Sequence, residues 1–411
     1  MKRRVVITGM GAVTSVGNDV NSMWESLING KNGIDFITQF DTSKNKVKLA
    51  GEVKNLDPSL YLDPKEYKRL DRVMLLSLIA ATQAFNDSKL KDYDSYRMGT
   101  FVTSGIGGIN TIYDEALKTI DKSTDRVSPF FVTNSIVNLV GGNIAIKYKA
   151  KGPSIPVVTA CSAGTNAIGE AFRYIRDGYV DIAFAGGSES SINALSVGGF
   201  TSMRAISISD NPNNASIPFD KERNGFVMAE GSGILILEEL EHAKKRNAHI
   251  YAELVGYAST CDAYHITTPD ETAEAIIKCM QLALEDANIS PDKIDYINPH
   301  ATSTYYNDKI ETYAIKQVFG EHAYNINLSG TKSMTGHALG AIGAIESIIC
   351  VKAINESIIP PTINLRNDDP DCDLNYTKDV SVNRNVDYAM SNNYGFGGQN
   401  AVLIFKKYQG E

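Results

Sequence analysis

VVTACSAGTNAIGEAF, residues 157 to 172, is the stretch on which the reading of the chain turns. Two valines and a threonine read as the end of a strand. Small residues follow, and then Ala163, Ala167, Ile168, Ala171, Phe172 and Ile175 mark one face of a helix closed by Gly178. Cys161 stands at the junction. A lone cysteine is most often a small buried hydrophobe. At the start of a helix, however, unpaired N–H groups carry partial positive charge and lower a thiol's pKa, and the thiolate is the nucleophile. A nucleophilic reading therefore asks the rest of the chain for partner groups.

The 411 residues are 43% hydrophobic, which suffices for one large or two medium cores. Spread aromatic and β-branched residues exclude wholesale disorder. The net charge of −8 excludes a chain-wide nucleic-acid surface and leaves room for a local basic patch facing an acidic partner. Five cysteines (Cys161, Cys261, Cys279, Cys350 and Cys372) form no CxxC pair. That argues against a zinc site or disulfide framework and for a reducing, cytoplasmic setting. The N-terminal apolar run, Val5 to Ile7, is too short for a signal sequence. Later apolar runs are broken by glutamates before they could insert in a membrane.

Strand signals (RRVVITG, RMGTFVTSG, IPVVTA, DIAFAGG, GSGILILEEL, IYAELVGYA, KIDYINPH, INLSGTK) alternate with amphipathic helices such as RVMLLSLIAATQAFND and TAEAIIKCMQLALEDA. The alternation predicts an α/β fold with helices over largely buried sheets. LEELEHAKKRNAHIY reads as a hinge between halves, giving an N-terminal half 1–250 and a C-terminal half 251–411. An internal echo links them. A shift of 176 residues places Cys161 on His337, Gly164 on Gly340 and Glu170 on Glu346. Two similarly folded halves, each presenting one chemical group at a helix start, would produce that pattern. The Gly-rich ITGMGAVTSVG fails the dinucleotide fingerprint, because Thr14 stands where the third glycine is required.

Of six histidines, His242, His249 and His322 lie in charged contexts that suit the surface, and His265 sits in a loop whose role stays open. His300 ends the strand-like YINPH, and His337 lies in GTKSMTGHALGAIGAIE at a helix start. Two histidines at element ends and a cysteine at a helix start form the kind of constellation that active sites collect.

The blocks TACSAGTNAIGEA, PHATST..ND, GTKSMTGHALGAIGAIE and NNYGFGGQNA, in this order, resemble the signatures of the β-ketoacyl-acyl carrier protein synthases. ITGMGAVTSVGND, SPFF, PFDKERNGFVMAEGSG and DAYHITTP are similar to its elongating branch, synthase II of fatty acid synthesis above all. The resemblance implies a thiolase-like five-layered αβαβα fold of two duplicated halves, working as a homodimer on acyl carrier protein. It implies no cofactor and no metal, since substrates arrive on the carrier's phosphopantetheine arm.

It also implies roles. Cys161 would hold the acyl chain as a thioester, and His300 and His337 would stabilise the enolate left when malonyl-carrier protein loses CO₂. Lys332, paired with Glu346, would support the histidines electrostatically. The N–H groups of Cys161 and Phe396 would hold the acyl oxyanion, and Phe396 would gate the acyl pocket. Thr302, Thr304 and Thr267 match hydroxyls along the pantetheine arm, and Ile106 and Phe200 match the acyl lining. Lys65, Lys68, Arg69 and Arg204 match the basic dock for the carrier.

Departures from the family pattern are Ala301 for glycine, Tyr305 for proline, Tyr394 for Phe or Leu, and Asn393 for Ser. If the glycine needs positive φ, Ala301 costs about 1 kcal/mol. Other members of the superfamily fit less well. Thiolases need a second catalytic cysteine in the last glycine-rich loop, the initiating synthases pair Cys with one His and one Asn, and a chain-length factor would lack Cys161. A ketosynthase of a secondary polyketide or polyene pathway is the alternative, and Ala301 and Tyr305 would be its marks.

Overall fold

The computed structural model describes residues 2–410. Nine strands form one mixed sheet: β1 Val5–Val13, β2 Met98–Thr103, β3 Ile182–Glu189, β4 Gly231–Glu239, β5 Ala252–Cys261, β6 Tyr296–Asn298, β7 Asn327–Leu328, β8 Tyr388–Gly395 and β9 Gln399–Lys406. Their order is β2-β3-β4-β1-β5-β9-β8-β6-β7. From the edge inward, β2 and β3 are parallel while β3–β4 and β4–β1 are antiparallel. The other half repeats this, with β6 and β8 parallel and β8–β9 and β9–β5 antiparallel. The halves join where β1 pairs with β5.

Helices α1 Arg72–Ser88 and α2 Asn138–Tyr148 cover the outer face of the first half. Between the halves lie α3 Ala163–Arg176 and, after α4 Glu274–Ala287, α5 Tyr305–Phe319 and the short α6 Lys332–Thr335, the long α7 Leu339–Glu356. α4 and α5 cover the outer face of the second half. The result is the five-layered α/β arrangement the resemblance implies. Its central layer explains the composition of α7, whose residues 339–351 are buried on every side, so the helix has no polar face.

The 176-residue echo is the pairing of α3 with α7. Cys161 precedes α3 by two residues and His337 precedes α7 by two. Gly164 and Gly340, which coincide in the echo, are both tightly packed, Gly340 against Gly105 and Gly164 against the start of α7. A Cβ on Gly164 would lie 2.9 Å from the Gly340 carbonyl oxygen. Gly9 and Gly11 lie within β1 under α1, so the Gly-rich run is a strand with no phosphate-cradling loop.

IPVVTA departs from its reading. Residues 155–159 form no strand, and the segment touches the sheet only through a bridge between Ser154 and Thr100 of the edge strand β2. Ile155 and Val158 stay exposed, and Ala160 turns to φ +52° to launch the turn that carries Cys161. α3 stops at Arg176, and Gly178, at φ +84°, donates its N–H to Ile175.

Candidate active site

Cys161 occupies a tight turn, Ala160–Ser162, that leads directly into α3. Asn166 pins the turn, donating to Thr159 Oγ1 (2.8 Å) and Ser162 Oγ (3.3 Å). The thiol is buried, and burial pushes its pKa up to about 12, against the pull of the Lys332 charge and of the N–H groups of Phe396 and Cys161. The sequence reading expected the opposite sign. Desolvation of the charged form outweighs the helix terminus, so Cys161 rests as a neutral thiol.

Phe396 follows β8 in a turn where Gly397 and Gly398 hold φ of +87° and +71°, which glycine alone adopts freely. That turn is tied to the segment carrying Thr267 by Gly397 N–H donating to Ile266 O and Asp262 N–H donating to Gly398 O, both 2.8 Å. Phe396 leans on Phe200 (centroids 6.2 Å), Phe200 on Phe226 (5.3 Å), and Phe226 edge-on against His337 (5.3 Å).

The imidazoles of His300 and His337 stand 5.4 Å apart at 87°. His337 is fixed through its backbone, donating to Val227 O (2.7 Å) and accepting from Ala229 N–H (2.9 Å). His300 sits between β6 and α5. Its N–H and that of Ala301 donate to the two oxygens of Glu311 on α5, at 2.8 and 2.9 Å. Ala301 holds φ +41°, so the strain foreseen for a non-glycine is present. Burial pushes Glu311 up to about 7 against the pull of those N–H groups.

Neither imidazole Nδ1 has a hydrogen-bond partner among the described residues. Burial first, and the Lys332 charge second, hold both pKa values well below the usual histidine range. The rings are therefore neutral, and each can donate one hydrogen bond. Lys332, 1% exposed, pairs with Glu346 at 2.6 Å, and Asn393 donates to the other Glu346 oxygen at 2.7 Å. Asn393 in turn accepts from Thr165 of α3, which links the Lys332 pair to the helix behind Cys161.

One cavity of about 580 Å³ is lined by Cys161, His300, His337, Phe396, Phe200 and Arg204, with Thr302, Thr304 and Thr267 also on its wall. The Thr302 and Thr304 hydroxyls lie 3.0 Å apart. Ile106 lies off the cavity wall, packed in the same apolar cluster as Cys161 and Phe200. Lys65, Lys68 and Arg69 are exposed on and just after the short helix Pro64–Tyr67, beside Lys118, and do not line the cavity that Arg204 borders.

Three supports escaped the sequence reading. Arg223, buried, donates to Thr304 O and Tyr305 O and pairs with Asp369, fixing the loop before α5. Tyr305 is the first residue of α5, a position with no intrahelical N–H to lose, so it serves where proline would. Glu311 and Tyr394 are the others. An acidic residue three positions after Asp308 on the apolar face of a helix was the available signal. Of the histidines read as surface residues, His242 is half-buried against Glu238 (2.6 Å), and His322 bonds Ile294 O (2.9 Å).

Acidification should test the neutral rings. Their folded pKa values lie below the unfolded value near 6.5, so the unfolded chain takes up protons first. Each ring's contribution is full above 6.5 and is lost as pH falls toward its folded pKa, at about 1.4 kcal/mol per pH unit. Raised carboxylates such as Glu311 oppose this, so the comparison is differential. His337→Gln should flatten the fall in urea-derived stability between pH 6.5 and 5.5 by about 1 kcal/mol, since the unfolded ring is only half protonated at the upper end. An unchanged slope would mean the ring is not buried neutral.

Profiles of the β-ketoacyl synthase N-terminal and C-terminal domains match residues 2–243 and 251–366. The chain is 50% identical over 411 residues to 3-oxoacyl-[acyl-carrier-protein] synthase 2 of Synechocystis sp., and 46% identical over 409 residues to the proteins of that name from Coxiella burnetii and Staphylococcus aureus strain N315. Each match covers 99% of both chains. Among solved structures, a type II polyketide ketosynthase in complex with its acyl-carrier protein is 36% identical (TM-score 0.92), and a β-ketoacyl synthase from Burkholderia phymatum is 32% identical (TM-score 0.91). Both cover 100% of this chain and of theirs. Among the described residues, no helix is long and apolar enough to cross a membrane.

Proposed function

The chain belongs to the β-ketoacyl synthase family, and from that premise we infer that it is an elongating 3-oxoacyl-[acyl-carrier-protein] synthase of type II fatty acid synthesis. It condenses malonyl-carrier protein with an acyl chain, giving 3-oxoacyl-carrier protein and CO₂. Identity of 46–50% to synthase 2 proteins, against 36% to the polyketide ketosynthase, favours this over the polyketide alternative. The observation that carries the site reading is the meeting on one cavity of the Cys161 thiol, the Phe396 turn and two neutral imidazoles, His300 and His337, with the buried Lys332–Glu346 pair nearby.

The thiol of Cys161 attacks the acyl thioester. The tetrahedral oxyanion is held by the N–H groups of Cys161 and Phe396, and the carrier thiol leaves with the proton. Malonyl-carrier protein then loses CO₂, and negative charge builds on its thioester oxygen, where His300 and His337 each donate a hydrogen bond. Burial, with the Lys332 charge adding to it, keeps both rings unprotonated so that they stay donors and not acids, and Glu346 holds that lysine in place. The carbanion attacks the acyl-Cys161 carbonyl, a carbon–carbon bond forms, and the departing Cys161 thiolate takes up one proton.

Thr302, Thr304 and Thr267 would bond the pantetheine arm, Phe200 would border the acyl chain with Ile106 in the apolar cluster beside it, and Phe396 would gate it. The carrier's acidic face would meet Arg204 and the Lys65, Lys68 and Arg69 cluster. Substrates tethered to the carrier need no further cofactor or metal, and the cytoplasm is the expected location. The halves 1–250 and 251–411 would contribute the nucleophile and the histidine site. A second copy is expected against the edge strand β2, which is flanked by exposed Ile146, Ile155 and Val158.

Intact-mass analysis after mixing with acyl-carrier proteins of graded chain length tests the reading. A single acyl adduct lost in Cys161→Ala is expected. Adducts that persist in that variant would place the nucleophile elsewhere.

A further inference from the structure

Two positions that leave the family pattern, Ala301 and Tyr394, meet around His300. Ala301 is held at φ +41°, a backbone region that penalises a Cβ. Glu311 clamps the strained peptide by accepting from the N–H groups on both sides of it. Tyr394, near the end of β8, packs its ring edge-on to His300, with centroids 5.4 Å apart at 62°. It runs on into the apolar cluster built by α4 and α5, which includes Ala301 and Cys279.

The Tyr394 residue is 8% exposed, and its hydroxyl makes no hydrogen bond among the described residues. Of the charged groups around that hydroxyl, Glu311 acts on it most strongly. A carboxylate can accept about four hydrogen bonds, and Glu311 has capacity beyond the two N–H groups. A phenol beside that carboxylate is the donor that would complete the clamp.

We propose that Tyr394 is a positioning residue for the decarboxylation half of the reaction. Its ring walls the His300 imidazole, and its buried hydroxyl, without a partner at rest, is the donor latch that closes on the Glu311 carboxylate holding the strained 300–301 peptide when His300 works. The latch offsets in this chain the alanine that replaces glycine. The proposal rests on the reading that His300 serves the enolate oxygen and not the acyl-transfer step.

A double-mutant cycle on the full-length protein with malonyl-carrier protein tests it. Tyr394→Phe keeps the ring and should lower kcat for malonyl decarboxylation by about fivefold to tenfold at unchanged KM, with the rate of Cys161 acylation unaltered. In an Ala301→Gly background the same substitution should cost less than about twofold. Glu311→Gln should reproduce the loss, and combining it with Tyr394→Phe should add less than about twofold. Equal losses in the two backgrounds, no loss in either, or a parallel fall in Cys161 acylation overturn the proposal. A wild-type protein that acylates Cys161 yet does not decarboxylate malonyl-carrier protein overturns instead the functional reading beneath it.

Discussion

Cys161→Gln is expected to abolish acylation and condensation while leaving malonyl decarboxylation within about tenfold of the wild type, and His300→Ala is expected to slow decarboxylation, and condensation with it, while leaving Cys161 acylation intact. The asymmetry follows from where each group stands. In the proposed reaction the thiol is the attacking atom for the acyl chain, so without it no acyl-enzyme would form. The enolate, by contrast, needs only hydrogen-bond donors at its oxygen. His300 and His337 are neutral, buried rings 5.4 Å apart, and neither is bonded through Nδ1. Losing one such preorganised donor should slow decarboxylation by roughly a hundredfold to a thousandfold. Acylation of Cys161 relies on the N–H groups of Cys161 and Phe396 and should persist in His300→Ala. The measurements are ¹⁴CO₂ release from labelled malonyl-carrier protein and acyl-adduct formation by intact mass. A His300→Ala protein that cannot be acylated yet still releases CO₂ would reverse the roles given to the two sites.

The second large effect concerns stability. Lys332 and Glu346 form an ion pair with almost no access to water. A buried pair contributes little net energy when intact, but removing one partner strands the other, at roughly 3–5 kcal/mol. Lys332→Met should therefore lower the urea-derived stability by about that amount. Adding Glu346→Gln should return most of the loss, since an amide can keep the Asn393 bond and needs no counter-charge. Activity should not return with it, because the charge that helps keep both imidazoles neutral is gone. A Lys332→Met protein as stable as the parent would mean that Glu346 is already protonated or reaches solvent.

The residues of the site were legible because chemistry is local in sequence. A cysteine at a strand-to-helix junction, histidines at element ends and glycine-flanked blocks announce themselves without knowledge of their neighbours. The duplicated fold was legible too, since the echo aligned two buried helix starts, one with Gly164 against the Gly340 carbonyl and the other with Gly340 against Gly105. The misreading of IPVVTA has a definite cause. β-Branched residues favour extended backbone, but a strand needs partners along its length, and this segment touches β2 at a single bridge.

By itself, the sequence determined the α/β class and the duplication and singled out Cys161 and the two histidines as candidates, because residue type, period and spacing along the chain carry that information. Only the tertiary structure decided the ionisation of the site. Helix position argued for a low thiol pKa, yet enclosure by α7, β8 and the Phe396 turn raises it to about 12, because removing water penalises the thiolate more than the helix terminus favours it. The same enclosure, with Lys332 behind it, makes both imidazoles neutral donors. The clamp of Glu311 on the strained Ala301 peptide and the approach of Tyr394 to His300 likewise join residues from different elements. Desolvation and electrostatic potential are properties of the packed whole, set by atoms far apart in sequence.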